Sequence, residues 1–250
     1  MANVLAVEWS VVIPVRDEAE NVIPLTTDVV AALKDLSSFE ILYVDDGSCD
    51  ATPKKLLEAK VICPSLRIIR HRASCGQSQA IYTGVQHARG IWIVTLDGDG
   101  QNDPADIPTL ITHHREAVAR SGLAPASLMV AGHRHNRKDT LLKSWSSRVA
   151  NAVRASLLKD KTPDTGCGLK LFAREAFLRF PRFDHMHRYL PALMLREGGT
   201  VVSVSVNHRP RKRGQSHYGV WDRLWVGITD LVGVIWLQRR VKNPVIDIED

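Results

Sequence analysis

The sequence predicts an α/β fold: one domain with a mostly parallel central sheet flanked by helices, followed by an amphipathic helix. Short apolar runs, too short for typical helices, recur in the first half of the chain and are typical of strands buried on both faces. They alternate with helical segments at a spacing that favours parallel connections. Two of the runs end in clusters of Asp and Gly, and open α/β sheets bind ligands beyond the carboxyl ends of their strands.

The strands are assigned from the apolar runs in chain order. Pro14 has no amide proton to give to a sheet, so the first strand should end close to it, before the polar segment Arg16 to Asn21. Gly76 to Ala80 opens a helix that runs to about Arg89, and Gly90 separates this helix from the next strand. The predicted strands are Trp9 to Val15, Phe39 to Val44, Arg67 to His71 and Ile91 to Leu96.

Two acidic clusters directly follow two of these strands. Val44 to Ser48 contains two adjacent aspartates, and Leu96 to Gln101 contains Asp97 and Asp99. The ends of parallel strands face one crevice, and carboxylates that lie close together repel each other unless a cation is present. Asp97 and Asp99 are therefore predicted to hold a hard divalent cation, Mg²⁺ or Mn²⁺, that also takes oxygens from a phosphate. The alternative is that Asp and Gly only form turns here, which two clusters in this order and spacing disfavour.

Length and composition fit one main domain with a short tail. The chain has 250 residues, 44% of them hydrophobic, and no repeat, low-complexity tract or long linker divides it. The N-terminus lacks a cationic stretch followed by an apolar core, so no signal peptide is expected. The four cysteines have no Cys-x-x-Cys spacing and the paired histidines have no zinc-ligand pattern, so reduced thiols and solvated histidines are expected.

The net charge of +6 is distributed unevenly. His208 to Arg213 concentrates positive charge immediately before Gly214. Such a run is usually a solvated surface, and short runs also occur in nucleic-acid-binding patches. No nucleic-acid-binding fold is recognisable and aromatic residues do not interleave with the basic ones, so no nucleic acid partner is expected. An anionic lipid headgroup and a membrane surface are favoured, because each basic side chain near such a surface contributes on the order of 1 kcal/mol.

The tail predicts one amphipathic helix. Asp222, Arg223, Thr229 and Asp230 fall away from its apolar face. The stretch from Leu224 to Leu237 is shorter than the ~20 residues that span a bilayer, so the helix is predicted to lie in the headgroup layer rather than cross it. The alternative is that it packs on the core of the domain or on a partner. Its apolar face comprises Val220, Trp221, Leu224, Trp225, Ile228, Leu231, Val232, Ile235 and Trp236, and Arg239, Arg240 and Lys242 follow it.

Five motifs in order resemble those of family 2 glycosyltransferases, in particular the dolichol- and polyprenyl-phosphate glycosyltransferases such as dolichol-phosphate mannosyltransferase. The late motif is similar to the Arg-x-x-Gly-x-Ser-Lys segment of the lipid-phosphate branch. The resemblance covers Ser10 to Gly219 and implies a nucleotide-diphospho-sugar transferase domain of the GT-A type at 1–219, with a membrane-interface helix and tail at 220–250. The motifs are Ile13 to Glu18, Val44 to Asp50, Gly76 to Gly84, Asp97 to Pro104 and Arg211 to Gly219.

The resemblance also implies a donor site for a UDP- or GDP-sugar. Asp99 would hold the metal, with Asp97 beside it on ribose or sugar, and both count as catalytic. Asp46 would suit the N–H edge of uracil or guanine. Arg16 stands where relatives often have Tyr, so its contact with the base or ribose is expected to differ from theirs. The implied donor-binding residues are Pro14, Arg16, Glu18, Val44, Asp46, Gly98 and Gln101.

A polyprenyl phosphate is the implied acceptor, and its oxygen is already anionic near neutral pH. Attack on the anomeric carbon then needs little general-base help, so positioning and charge stabilisation should dominate. Asp164 would orient the sugar or act as a base, unless it only forms a turn or a helix cap. His217 stands where relatives carry Lys and would be only partly charged at neutral pH. The implied acceptor-phosphate residues are Arg134, Lys143, Arg211, Arg213 and His217.

The hypothesis is an inverting transfer of one sugar to a polyprenyl phosphate at the cytoplasmic membrane face, as in the biosynthesis of a cell-envelope glycan. The protein would be peripheral, with an integral membrane partner or a second copy as further partners. Two alternatives stay open. One is a family 2 transferase that acts on a glycan hydroxyl, and the other is a non-catalytic subunit that binds a nucleotide sugar in a membrane complex.

Overall fold

A computed structural model of the protein describes residues 7–36, 38–134, 154–160, 162–210 and 220–242, with side chains from residue 227 onward in the last range. In this part of the chain seven strands form one sheet, in the order β3-β2-β1-β4-β6-β5-β7. β6 runs antiparallel to β4 and to β5, and the other pairs are parallel, which confirms the mostly parallel sheet. The strands are β1 Trp9–Val15, β2 Phe39–Asp45, β3 Arg67–Arg70, β4 Trp92–Thr95, β5 Leu128–Arg134, β6 Lys170–Ala173 and β7 Thr200–Val206.

Helices cover both faces of the sheet. Short 3-10 turns at Pro104–Asp106, Pro125–Ser127 and Met186–Arg188 join some of the elements. The fourth helix ends at Gly122, which adopts the left-handed conformation that favours glycine at this position. The helices are α1 Ala19–Leu33, α2 Thr52–Ala59, α3 Gln77–His87, α4 Ile107–Ser121, α5 Arg174–Leu178, α6 Leu190–Arg196 and α7 Val220–Arg240.

The packing of the central strand β1 explains why six of its seven residues are apolar. Successive side chains of a strand point to opposite faces, and both faces of this sheet are covered. Val11 and Ile13 pack into one buried cluster with side chains of α1 and α4, and Val12 packs into a second cluster with α3 and α6. Every residue of β1 is buried.

The prediction for β1 is confirmed at both ends, and the other three predicted strands differ from the observed ones by one residue at one end or both. β2 continues to Asp45, β3 ends at Arg70, and β4 covers only Trp92–Thr95. Leu96 is buried directly after β4, and its amide still donates to the Val12 carbonyl over 3.2 Å. The helix α3 ends at His87 because Ala88 adopts an extended conformation.

The last helix has two different apolar sides. Leu231, Val234 and Ile235 pack against α6 and its neighbours. The Tyr189 hydroxyl donates to the Gly227 carbonyl over 3.2 Å, and His185 lies 3.1 Å from the Asp230 carboxylate. On the other side Ile228, Val232 and Trp236 are exposed. None of the helices described reaches the combination of length and apolarity that a bilayer crossing requires.

Candidate active site

The carboxyl ends of β1, β2 and β4 lie together at one edge of the sheet. Pro14 and Val44, two predicted donor contacts, are paired in register between β1 and β2. The amide of Asp46 donates to the Val15 carbonyl over 2.9 Å. Gly98 packs on the end of β1, since a Cβ there would lie 2.7 Å from the Pro14 carbonyl oxygen. The structure thus brings the predicted donor residues of three strand ends into one crevice.

Asp97 is held in place by three neighbours. Its Oδ1 accepts a hydrogen bond of 2.8 Å from Gln77 Nε2, at the start of α3, and its amide donates to Asn102 Oδ1 over 3.1 Å. The carboxylate packs against Gly168, where a Cβ would overlap its Cγ and both oxygens. A side chain at position 168 would therefore require the Asp97 carboxylate to shift.

Asp99 lies two residues further on the same loop. Its Oδ1 accepts a hydrogen bond of 3.1 Å from the amide of Gln101, and Gly100 between them has a φ of 72°. Burial and repulsion from Asp99 raise the pKa of Asp97 to about 6. A pair of carboxylates that cannot both ionise without cost is a site that a cation stabilises.

Lys170 is a site residue that sequence reasoning missed. It is buried in β6, and its Nζ donates to the carbonyl oxygens of Thr165, over 3.2 Å, and of Cys167. Burial lowers the pKa of Lys170, and attraction to Cys167, Asp97 and Asp164 offsets only part of this effect. The one sequence signal is a lysine inside the apolar run from Leu169 to Ala173.

Arg134 and Asp164, which the resemblance assigned to acceptor and sugar, are paired with each other. The Arg134 guanidinium donates to both Asp164 oxygens, over 2.6 Å from Nε and 2.7 Å from Nη2. The Arg134 amide adds a third bond of 3.2 Å. Both side chains are largely buried, and their ligand roles stay predictions. The other predicted acceptor residues lie outside the described part of the chain: Lys143, Arg211, Arg213 and His217.

The start of the basic run is attached to the acidic loop. His208 forms an isolated antiparallel bridge with Asn102, and the amide of Arg209 donates to the Gln101 carbonyl over 2.9 Å. The Arg209 guanidinium donates to Asp103, over 2.8 Å, and to Asp28 of α1. Asp28 and Asp103 thus balance the charge of Arg209 within the fold. Arg211 follows two positions later in the sequence.

The loop after β1 binds the loop after β2. The Asp17 carboxylate accepts a hydrogen bond of 2.8 Å from the amide of Cys49, and the amide of Glu18 donates to Thr52 Oγ1 over 2.9 Å. Arg16 is exposed, and its Nη1 donates to Ser74 Oγ over 3.0 Å. Arg16 and Glu18 therefore lie on a braced loop at the edge of the crevice.

Among the residues that the structure describes, one group of three His, Cys, Asp or Glu side chains has its ligand atoms within 4.8 Å of one another: Asp46, His71 and Cys75. This spacing is close enough to hold a metal ion. In the structure His71 Nδ1 lies 2.7 Å from Asp46 Oδ1, and its Nε2 lies 3.0 Å from Thr83 Oγ1. All four cysteines are free thiols, with Cys75 exposed.

Comparisons with known proteins show the family of the chain. Residues 10–180 match the model of glycosyl transferase family 2. A dodecaprenyl-phosphate galacturonate synthase of Rhizobium johnstonii is 34% identical over an alignment of 251 positions, which covers 96% of this chain and 70% of that protein. An undecaprenyl-phosphate 4-deoxy-4-formamido-L-arabinose transferase of Proteus mirabilis is 32% identical over 84% of this chain, which spans 62% of that protein.

A solved structure shares the fold at low sequence identity. It is the glucosyl-3-phosphoglycerate synthase of Mycobacterium tuberculosis, crystallised with Mn²⁺, UDP and its product, with a TM-score of 0.65 and 15% identity over 94% of this chain and 81% of that one. The fold and the matches define a glycosyltransferase of the GT-A type. The chain belongs to glycosyl transferase family 2, which confirms the predicted family and fold class.

Proposed function

We propose that this protein transfers one sugar, with inversion, from a nucleotide-sugar donor to a polyprenyl phosphate. Both relatives described above are named for sugar transfer to a polyprenyl phosphate. The observation that carries the proposal is the bridge between Asn102 and His208. It joins the acidic loop of the donor crevice to the beginning of the basic segment, so a donor and an anionic acceptor would meet between them.

A divalent cation, Mg²⁺ or Mn²⁺, fits the residues at the acidic loop. Asp97 and Asp99 offer hard carboxylate oxygens, and burial together with repulsion from Asp99 raises the pKa of Asp97, so a bound cation would stabilise its ionised form. When bound, the cation would neutralise the developing charge on the nucleotide diphosphate. Asp99 would be its direct ligand, while Gln77 and Gly168 orient the Asp97 carboxylate.

The donor nucleotide, a UDP- or GDP-sugar, would lie across the ends of β1 and β2. Pro14, Val44 and Gly98 supply close-packed backbone there, and Arg16 and Glu18 lie on the braced loop at the edge. Gln101 would lie beside the diphosphate, because its amide already bonds to Asp99.

The Arg134–Asp164 pair favours a phosphate acceptor over a sugar hydroxyl. A hydroxyl needs a general base, and both oxygens of Asp164 are already engaged by Arg134. A polyprenyl phosphate oxygen is anionic and needs no such base. Arg134 and the outlying Lys143, Arg211, Arg213 and His217 are the proposed acceptor-phosphate residues. Asp164 would orient the sugar through its fixed position.

Docking at the cytoplasmic membrane face would use the outer side of α7. Ile228, Val232 and Trp236 have exposed fractions of 44%, 61% and 56%, and the guanidinium of Arg240 lies 5.8 Å from the Trp236 ring. Apolar side chains with adjacent cations suit a helix in the headgroup layer. The inner side packs on the domain, so this helix would hold the crevice near the membrane.

A liposome assay tests this docking. The protein should bind anionic vesicles less well at high salt, because exposed charges are screened. A Val232→Ser/Trp236→Ser double change should strongly reduce binding. Leu57→Ser/Val61→Ser removes two exposed apolar side chains of α2 and its end, and should leave binding unchanged. Equal binding by both variants would refute docking through α7, and binding only to native membranes would indicate an integral membrane partner.

Sugar transfer itself is tested with radiolabelled nucleotide sugars and a short-chain polyprenyl phosphate. The proposal expects label in the organic phase, dependent on both substrates and on a divalent cation. Label on a water-soluble glycan would instead indicate a hydroxyl acceptor. Nucleotide-sugar binding without any transfer would indicate a non-catalytic subunit.

A further inference from the structure

Lys170 places a positive charge in the interior of the sheet. The strand that carries it, β6, lies between β4 and β5, and Lys170 is in register with Thr95 on one side and with Ala131 on the other. The residue is buried. A buried ammonium group is costly unless hydrogen bonds and opposite charges compensate for the loss of water, so its partners indicate what the residue does.

The hydrogen-bond partners of Lys170 are backbone groups of one short loop. The loop consists of residues 164–168, directly before β6. The ammonium Nζ donates to the carbonyl oxygens of Thr165, over 3.2 Å, and of Cys167. An ammonium group has three donors and no acceptor, so it can bind several carbonyl groups of one loop at the same time. The loop 164–168 is therefore folded around the Lys170 side chain.

The two ends of this loop contact the two halves of the site. At its beginning, Asp164 accepts two hydrogen bonds from the Arg134 guanidinium. At its end, Gly168 packs against the Asp97 carboxylate of the acidic loop. Because Lys170 binds the residues between these two ends, a single ammonium group fixes both contacts.

The charges around Lys170 support the same arrangement. Burial lowers the pKa of Lys170, whereas the nearby Asp97 and Asp164 carboxylates favour its charged form. A methionine at this position would be a neutral, unbranched side chain without any N–H donor. It would remove the bonds to the loop and the charge between the two carboxylates, while the site stayed filled.

We infer that Lys170 is a positioning residue for sugar transfer: its ammonium group holds the loop 164–168, so that Gly168 stays against Asp97 and Asp164 stays paired with Arg134. The inference rests on the proposed sugar transfer. Because Lys170 is buried, it acts through the loop and not by contact with a substrate.

Thiol labelling of the ligand-free protein tests whether Lys170 holds the loop. Cys167 lies in the loop and is fully buried, so iodoacetamide reaches it only when the loop opens. In Lys170→Met, labelling of Cys167 should be about ten- to hundredfold faster, because hydrogen bonds from a charged group are lost. Cys63 is buried outside the loop and should react at its wild-type rate, which mass spectrometry of the labelled peptides shows separately.

Two results of this labelling would overturn the inference. One is an unchanged rate at Cys167 in Lys170→Met. The other is an equal acceleration at Cys63, which would show that Lys170 contributes to the stability of the whole domain and not to the position of this loop.

Arg174→Met is the matched control. The Arg174 guanidinium also donates to two backbone carbonyl oxygens, those of Val85, over 3.0 Å, and of Gln86, over 2.6 Å. These belong to the last turn of α3, whereas the first turn of that helix faces the crevice. Arg174→Met should leave labelling of Cys167 unchanged. The same acceleration in Arg174→Met as in Lys170→Met would contradict a specific role of Lys170.

Kinetics test whether the position of the loop matters for transfer. Lys170→Met should lower kcat about 100-fold, because small displacements of reacting groups have effects of that size. The Kd of UDP or GDP, measured by calorimetry with Mn²⁺, should change little, because the predicted donor contacts Pro14 and Val44 lie on β1 and β2. A purely structural role would leave kcat per folded molecule unchanged, and that result would overturn the inference.

The two assays separate this inference from the proposed function. Absence of any sugar transfer by the wild type would refute the proposed function. The labelling assay needs no substrate, so it would still decide whether Lys170 holds the loop 164–168.

Discussion

Gly168→Ala is the sharpest test of how the acidic pair is held. The added methyl group would overlap the Asp97 carboxylate, because an ideal Cβ at this position falls on its Cγ and both oxygens. Asp97 has to move by about 1 Å to relieve the overlap, and a displacement of that size costs about 100-fold in rate. This corresponds to a loss of about 2.7 kcal/mol of transition-state stabilisation.

The assay compares kcat/KM for sugar transfer in Gly168→Ala, Gly166→Ala and the wild type. Gly166 lies on the same loop, and a Cβ there meets only Arg134 Nη2 at 3.3 Å and Asp164 Oδ1 at 3.6 Å. Urea unfolding shows whether both variants are folded, since overpacking costs about 1–3 kcal/mol. If Gly168→Ala were as active as Gly166→Ala, the placement of Asp97 against this loop would be wrong.

Three further predictions concern the charged groups of the site. Asp99→Asn should abolish turnover without unfolding the protein, and chelation should abolish the activity of the wild type. Full activity in excess chelator would refute the metal-dependent mechanism. In chelator, Asp97→Asn should raise the urea midpoint above pH 6 but not below pH 4. The pKa of Asp97 is raised to about 6 in the folded protein, which means that its ionised form destabilises the folded state. This destabilisation therefore appears as pH rises through 4–6 and is absent at lower pH. Equal urea midpoints of Asp97→Asn and the wild type at pH 8 would contradict it. Arg134→Met and Asp164→Leu should each lower the free energy of unfolding by about 3–5 kcal/mol, because each removes one partner of a largely buried ion pair, and the double change should cost less than their sum. Strict additivity in that cycle would show that the pair is not coupled.

The sequence was sufficient to predict the strands that are buried on both faces and the crevice at their carboxyl ends. β1 and β2 are mostly apolar because helices cover both sides of the sheet, and the polar side chains of Ser10 and Glu40 bond to each other. The acidic loop follows β4 directly, so its place at the carboxyl edge depends only on the direction of that strand. The bounds of β1 are as predicted, and those of β2, β3 and β4 shifted by one residue because hydrogen bonding, rather than hydrophobicity, ends a strand.

The long-range pairings could not be predicted from local patterns. Arg134 and Asp164 are 30 residues apart, and Arg209 reaches Asp103 across 106 residues. The burial of Lys170 depends on β6 inserting antiparallel between β4 and β5, which no spacing indicated.

The tail shows a different limit of sequence reasoning. Its helical period predicts one apolar face, but from residue 227 onward, where side chains are described, the structure divides the apolar residues between an inner side on α6 and an exposed outer side. The helical period shows which residues share an apolar face, but it does not show what that face packs against. The two alternatives for this helix, packing on the domain and exposure for an interface, therefore both describe part of it.

The central claim is that the acceptor atom is a phosphate oxygen. The most direct measurement is the ³¹P NMR spectrum of the product made from a polyprenyl phosphate and the donor that supports turnover. Our account predicts that the phosphomonoester signal of the acceptor is replaced by a phosphodiester signal that couples to the anomeric proton of the sugar. The anomeric configuration of that sugar should be inverted relative to the donor. An unchanged phosphomonoester signal, with the sugar found on a hydroxyl group, would contradict it.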